Sequence, residues 1–585
     1  MRRIFTIFVI SVLAAGILLS CGKEIETEKE TQKQETGPGT PLDYYLQLIE
    51  TTDIHGHIVN SDDGSMHYRL AYIAYKVRAL RERGHGFSRD RLLLLDGGDI
   101  YQGACVSNLL GGEPLFTAID RMGYDAVALG NHEFDWGFEN TVDADATVPD
   151  YQWQGQTCTN NVPVVCANLY RDGDRVSATR DYVIVEKTAF NAEGDSLRVK
   201  IGIIGFATNY AGSIMTSKFT GAGFSIREDY SIARNLAYRL ESEGLCDATI
   251  LLTHGHAESA ANSIGTGSVI DLVVGGHSHG TLAGKTSWGL AYLQGGRYAE
   301  HFAYCTLRFM VGKDGKVSFL SADHLQTLAV DSSRDIHSDG GQNDKYLNKD
   351  ILAVSDAALD ACAPQLNRVI GYIGVGAGNS SIGGSGGRAT PMGNWMCDII
   401  RRIGKADVAF VNSGGIRTTI SLNGESRRDI TVANVYEIFP FANTIYVYDI
   451  SYADLLTALE YSLTSGGSSM LSRMTGIDCY YSQGNGAYHV QSLQKDDTVI
   501  YENGSWNGDW ASRHLKLAVS EYLATTERTD YSTGLPNPFL EWNGTPRLLE
   551  NSLVDNENAV LVLEAEAAES GGLLWIDLQP HYILN

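Results

Sequence analysis

The sequence predicts an α/β protein of more than one domain, on three observations. Short, near-continuous apolar runs alternate with helix-like stretches, the pattern of strands covered on both faces. Turns rich in Gly, Asp, Asn and His stand directly behind several of those runs. Composition is ordinary for a globular chain: 43 % hydrophobic, 20 % charged, 63 glycines and 12 prolines in 585 residues. That balance excludes collagenous, coiled-coil and wholly disordered classes. At about 150 residues per domain the length allows roughly four domains, and large α/β domains reduce this to two or three. Lys and Arg total 45 against 70 Asp and Glu, a net charge of −25. Such a surface repels phosphate backbones, so no nucleic acid polymer is expected as a partner. A small phosphorylated substrate remains compatible, because a local cluster of metal ions and arginine outweighs a distant, salt-screened surface.

The first element is an address. Arg2 and Arg3 precede an uncharged run from Ile4 to Ser20, laid out as a secretory signal. Leu18-Leu19-Ser20-Cys21 resembles the bacterial lipobox, so residues 1–20 are expected to be removed and Cys21 to be lipidated. The polar stretch 21–41 reads as a disordered tether, holding the body roughly 25 Å from the membrane if it is a flexible coil. The expected location is exported and lipid-anchored, facing the periplasm or the cell surface, with the membrane met through the anchor only. Eight of the nine cysteines lie beyond Cys21, and none forms a CxxC pair, which argues against a thiolate zinc site. Cys158 and Cys166 are the expected disulfide.

Seven strands are expected next: Tyr45 to Thr51, Leu92 to Leu95, Ala126 to Leu129, Val162 to Ala167, Val199 to Phe206, Ala248 to Leu252 and Ile270 to Val274. Five are followed by unusual turns: TTDIHGH (Thr51 to His57), DGGDIYQG (Asp96 to Gly103), GNHEFDWG (Gly130 to Gly137), THGH (Thr253 to His256) and GGHSH (Gly275 to His279). Carboxylate, amide and imidazole are the ligands that Zn²⁺, Mn²⁺, Fe²⁺ or Co²⁺ accept. In an α/β sheet, ligand chemistry belongs at the carboxyl ends of strands, where these turns stand. One such turn is commonly solvated polar residues; five behind buried-looking strands are a metal centre.

This ordered set resembles the calcineurin-like metallophosphoesterases, specifically the 5′-nucleotidase and UDP-sugar hydrolase family, over Leu42 to about Asp344. The resemblance implies a four-layer catalytic domain (42–344) holding two divalent metal ions. Carried over residue by residue, it implies Asp53, His55, Asp99 and His279 around the first ion. Around the second it implies Asp99, Asn131, His254 and His277, with Asp99 as the bridge. Paired ions lower the pKa of a bound water and neutralise charge in an in-line attack on phosphorus. His132 resembles the family's general acid or transition-state stabiliser, and Asp135 would fix its tautomer. THGH is one residue shorter than the family's usual spacing, so His256 is excluded from the ligands.

A connecting helix is expected within 345–369, its apolar spacing running to Pro364. The remainder, 370–585, resembles the family's smaller α+β substrate-specificity domain, by GRATPMGNWMCDIIRR, ADVAFVNSGGIR and YEIFPFANTIYVYDIS in that order. The resemblance places Arg388 and Arg417 on phosphate, where a guanidinium fork suits the task. It places Phe441 against a base with Asn443 nearby. The family's closing GGDG turn is missing: AVSEYLATTERTDYS, Ala518 to Ser532, stands there, with Tyr522 as the second aromatic and Asp530 as a displaced acid.

The reading is an exported, lipid-anchored two-metal phosphohydrolase, by default a 5′-nucleotidase, with no protein partner implied. A UDP-sugar, cyclic nucleotide or non-nucleotide phosphoesterase is the alternative within the same chemistry. A non-catalytic receptor for phosphorylated ligands is the alternative outside it, and would be expected to have damaged ligands; all seven are present.

Overall fold

The computed structural model describes residues 43–62, 65–84, 86–208, 219–337, 341–374, 381–382, 390–412, 420–421, 426–439, 443–463, 473–484, 487–525, 536–543, 545–576 and 582–584. Cys21, the tether, Arg388, Arg417, Phe441 and Asp530 lie outside them.

Each of the seven expected apolar runs overlaps a strand: Asp43–Thr51, Leu92–Asp96, Ala126–Ala128, Val164–Val165, Ser196–Ala207, Ala248–His254 and Leu272–Val274. They join a twelve-stranded sheet. Parallel registers run Gln47↔Leu92, Leu95↔Ala126, Ile201↔Ala248 and Ile250↔Leu272. Antiparallel strands that the apolar runs did not single out complete it, among them Tyr182–Phe190, His301–Val311 and Val317–Ala329. Several carry polar residues on one face, so they lack the continuous apolar signature of the covered parallel strands.

The period of two along each strand divides its side chains between two cores. Leu92 and Leu94 pack with Leu70, Ile73, Leu115 and Ile119 of the helices Arg69–Glu82 and Glu113–Met122. Leu93 and Leu95 point the other way and meet Ile201, Ile203, Ile250 and Leu252, so the two halves of the sheet face one another. Beyond them Ile204, Leu251 and Val273 pack on the helices Ser231–Ser242 and Ala257–Ile264. The result is helix, sheet, sheet, helix.

The helix Lys349–Leu366 follows, capped by the Asn348 side chain on the N–H groups of Asp350 and Ile351. It continues past Pro364, where the sequence pattern ended it. A proline in the last turn removes only one backbone bond, and the Asn367 N–H still reaches the Ala363 carbonyl. The second domain holds two five-stranded sheets. One is built on Val408–Val411, His514–Ser520, Thr444–Ser451 and Leu548–Val554. Helices Pro391–Ile403 and Asp555–Ser570 cover one face and Tyr452–Leu463 the other. Cys105 and Leu109 of the catalytic domain pack against the first of these cores, which joins the two domains.

The Cys158–Cys166 bridge does not form; all eight described cysteines are free. Val164–Val165 enters the sheet and carries Cys166 into the core, where its Sγ lies 3.4 Å from Asn168 Oδ1. Cys158 pairs with Tyr151 in a separate hairpin, Tyr151–Trp153 with Gln156–Cys158, which docks on the helix Glu113–Met122 through Arg121 and Trp153.

Leu94 is fully buried between sheet and helices. Leu94→Ala should cost about 2–5 kcal/mol. Urea titration should show a lower midpoint with an unchanged slope, and an unaltered midpoint would contradict this packing.

Candidate active site

The five polar turns meet at one edge of the catalytic sheet. Each begins where a parallel strand ends, so the backbone must reverse within a few residues and still aim a side chain into the gap. Asp53, His55, Asp99, His277 and His279 all adopt left-handed backbone, with φ of 50°, 49°, 56°, 68° and 57°. Non-glycine residues in that region cost about 1–3 kcal/mol each and cluster at functional sites. Asp and His tolerate it better than most. Gly130 lies so close to Asp99 that a Cβ there would collide with the Asp99 and Glu133 carboxylates.

Two clusters result. In the first, His55 Nε2 is 3.0 Å from His279 Nε2, and His279 Nε2 is 3.5 Å from Asp53 Oδ1. The His55 Nδ1–H donates to the Gln102 carbonyl at 3.1 Å, and burial holds this imidazole well below its usual pKa. Its Nε2 is then a lone pair, facing the His279 nitrogen. In the second cluster, His277 Nδ1 is 2.9 Å and His254 Nε2 3.2 Å from Asn131 Oδ1. The His254 Nδ1–H donates to the Gly97 carbonyl at 2.6 Å. Asp99 Oδ2 lies 3.8 Å from His55 Nε2 and 3.1 Å from His254 Nε2, between the two clusters.

This donor set fits two divalent ions. Imidazole nitrogens and carboxylate oxygens converge, and the carbonyls behind His55 and His254 fix which nitrogen faces inward; Asp99 and its neighbouring carboxylates outweigh burial and raise His254 to about 9, a proton that a bound ion would displace. Burial also lowers His277 and His279 to about 4, keeping them neutral as metal ligation requires. Asp53–His55–His279 and Asp99–His254–His277 each bring their donor atoms within 4.8 Å of one another. His55, Asp99 and His132 form a third such group, which the sequence reading did not assign.

His132 stands at the rim. Its backbone N–H donates to Asp99 Oδ1 at 2.8 Å, and its Nδ1–H to Asp135 Oδ2 at 2.6 Å. Burial opposes the charged imidazole, but Asp135 and Asp99 outweigh it and raise its pKa to about 10. Two bound cations would pull that value down. His256 turns away: its Nδ1 accepts from the Ser259 N–H and caps the helix Ala257–Ile264.

Residues 369–507 match the family described as 5′-nucleotidase, C-terminal domain. A 5′-nucleotidase of Vibrio parahaemolyticus is 27 % identical over 455 residues, covering 71 % of this chain and 74 % of that protein. Another, of Vibrio cholerae, is 24 % identical over 550 residues, covering 87 % and 91 %. The crystal structure of a 5′-nucleotidase precursor from Thermus thermophilus shares the fold, with a TM-score of 0.59 at 19 % identity, over 92 % of this chain and 99 % of that one. Over most of its length the chain is therefore similar to 5′-nucleotidases, and it is a metal-dependent phosphoesterase.

Several residues that hold this site together escaped the sequence reading. Buried Glu133 accepts from the N–H groups of Asp99 (3.0 Å), Ile100 (2.8 Å) and Gly130 (2.7 Å), tying two turns into one. Its signal was present as the last letter of GNHE. Asp96 accepts from the Gly98 N–H and the Thr51 hydroxyl, and Thr52 Oγ1 donates to Asp53 Oδ2 at 2.6 Å. Tyr298, whose ring edges toward His55 and His279, gave no local signal.

In the second domain, Asn443 Nδ2 donates to Asp555 Oδ2 at 3.4 Å, and Tyr522, half-exposed, lies on the short helix Glu521–Thr525. Glu521 opens that helix, and its Oε2 accepts from the Thr444 N–H at 3.4 Å.

Asp99→Asn removes charge from both clusters at once. The variant should fold, bind less metal than the native phosphoesterase by elemental analysis, and release no phosphate. Two ions retained at native occupancy would exclude Asp99 as a bridge.

Proposed function

We propose that the protein is an exported, lipid-anchored 5′-nucleotidase that releases orthophosphate from nucleoside monophosphates. The observation that carries this reading is the single Asp99 carboxylate lying between two imidazole clusters with the His132–Asp135 pair at its rim. Relatives named 5′-nucleotidases support the substrate class. Asp53, His55, Asp99 and His279 would hold one ion, and Asp99, Asn131, His254 and His277 the other; Zn, Mn, Fe or Co all suit these donors. When bound, the pair supplies an activated water and neutralises charge on the phosphoryl oxygens.

The chain's own residues do the rest. Asp135 holds His132 through Nδ1, leaving Nε2 to give a proton to the departing oxygen. Arg388 and Arg417 are assigned to phosphate, Phe441 and Tyr522 to the base, and Asn443 beside it. The run Ala518 to Thr533 contains no glycine. That favours one second reading, a phosphatase acting on a non-nucleotide ester with the same chemistry. A phosphate-release panel of nucleoside monophosphates, UDP-sugars, cyclic nucleotides and sugar phosphates, with added Mn²⁺ or Zn²⁺, separates the two.

His132→Ala should keep both metals and lose on the order of 10² to 10⁴ in turnover. Alkyl phosphates should suffer more than p-nitrophenyl phosphate, whose leaving group needs no proton. Equal losses on both would count against proton donation.

Cys21→Ser tests the anchor. Fractionation of expressing cells should move the activity from the membrane pellet to the soluble fraction. Activity that stays with the membrane would refute lipidation at Cys21.

A further inference from the structure

His279 lacks the support that His55 and His254 have. Behind the Nδ1 of His55 stands the Gln102 carbonyl at 3.1 Å, and behind that of His254 the Gly97 carbonyl at 2.6 Å. His279 turns its Nε2 inward, 3.0 Å from His55 Nε2, but its Nδ1 has no hydrogen-bond partner among the described residues. The second torsion of a histidine side chain is broad, so a ring without that outer bond needs another restraint. Tyr298 stands in that place. Its ring centroid lies 5.7 Å from that of His279 and 5.7 Å from that of His55, with 64° and 68° between the planes. Its N–H donates to the Asp53 carbonyl at 2.8 Å. One residue thus touches Asp53, His55 and His279, the three donors assigned to the first ion alone.

Tyr298 is itself held from several sides. It and Ala299 are consecutive left-handed residues, with φ of 53° and 54°. A bulky side chain in that region is strained, and such strain gathers at functional sites. Asn60, 1 % exposed, secures the turn: its Nδ2 donates to the Tyr298 carbonyl and to His57 Nδ1, each at 3.1 Å. The His57 ring packs on Tyr298 with centroids 4.3 Å apart, and the Arg297 guanidinium lies 4.8 Å from the same ring. We propose that Tyr298 is a positioning residue that orients His279 by packing in place of a hydrogen bond, and thereby sets the affinity of the first ion separately from that of the second. This role rests on the two-ion reading above. Ring packing carries it, so the phenol hydroxyl is dispensable.

The test challenges the full-length, Co²⁺-loaded protein with increasing chelator, counting retained Co²⁺ by elemental analysis and following its visible absorption. In Tyr298→Ala one ion should be held at least tenfold more weakly, while the other keeps its native affinity. Tyr298→Phe should match the native chain at both sites. If circular dichroism shows Tyr298→Ala unfolded, Tyr298→Leu takes its place with the same expectation. In His279→Ala, whose tighter ion occupies the second site, adding Tyr298→Ala should leave that ion's affinity unchanged. Native affinity for both ions in the alanine or leucine variant, equal weakening of both, or failure of phenylalanine to rescue would overturn the role of Tyr298. A native chain that retains fewer than two ions would instead defeat the two-ion reading on which it rests.

Discussion

Asp99 must place one carboxylate between two imidazole clusters, and the surrounding turns are arranged to meet that demand. Its Oδ2 faces His55 and His254, and its Oδ1 is held by the His132 N–H. Its own N–H is held by Glu133, which also binds the Gly130 turn. A carboxylate pinned at both oxygens and at its backbone cannot swing toward either cluster. Left-handed backbone at five of the seven ligand positions serves the same demand, because a turn directly behind a strand must aim its side chain back toward the gap within a few residues; Asn131 does so with φ of −78°. That strain persists because the sheet below over-determines it.

The catalytic domain supplies the metal donors. Glu521, Thr444, Asn443 and Asp555 are tied together at strand and helix ends of the second domain. Cys105, six residues after Asp99, packs with Leu109 into the second domain's core. The metal turn and the domain contact are therefore neighbours on the chain.

Legibility along the chain followed physical cause. The parallel strands announced themselves because burial on both faces demands unbroken apolar runs, as in Leu92 to Leu95. The antiparallel strands, such as Tyr182–Phe190, did not, since one polar face erases that signature. The Pro364 boundary misled because a proline in a last turn costs one bond, not a helix. The cysteine pairing misled because proximity in sequence says nothing about which side of a strand a residue takes: Cys166 went into the core and Cys158 to a hairpin.

From the sequence alone came the α/β class, the five polar turns, their chemistry as metal donors and, through the ordered motifs, the resemblance to 5′-nucleotidases. These are local facts: residue type, spacing and the strand in front of each turn. Only the tertiary structure decided which donors share a cluster, that Asp99 lies between them, that Glu133 ties its turn to Gly130, and that Glu521 accepts from Thr444. Each of those is a contact between residues far apart on the chain. Such contacts depend on the twist and pairing of strands and on how two domains pack, which no window of sequence contains.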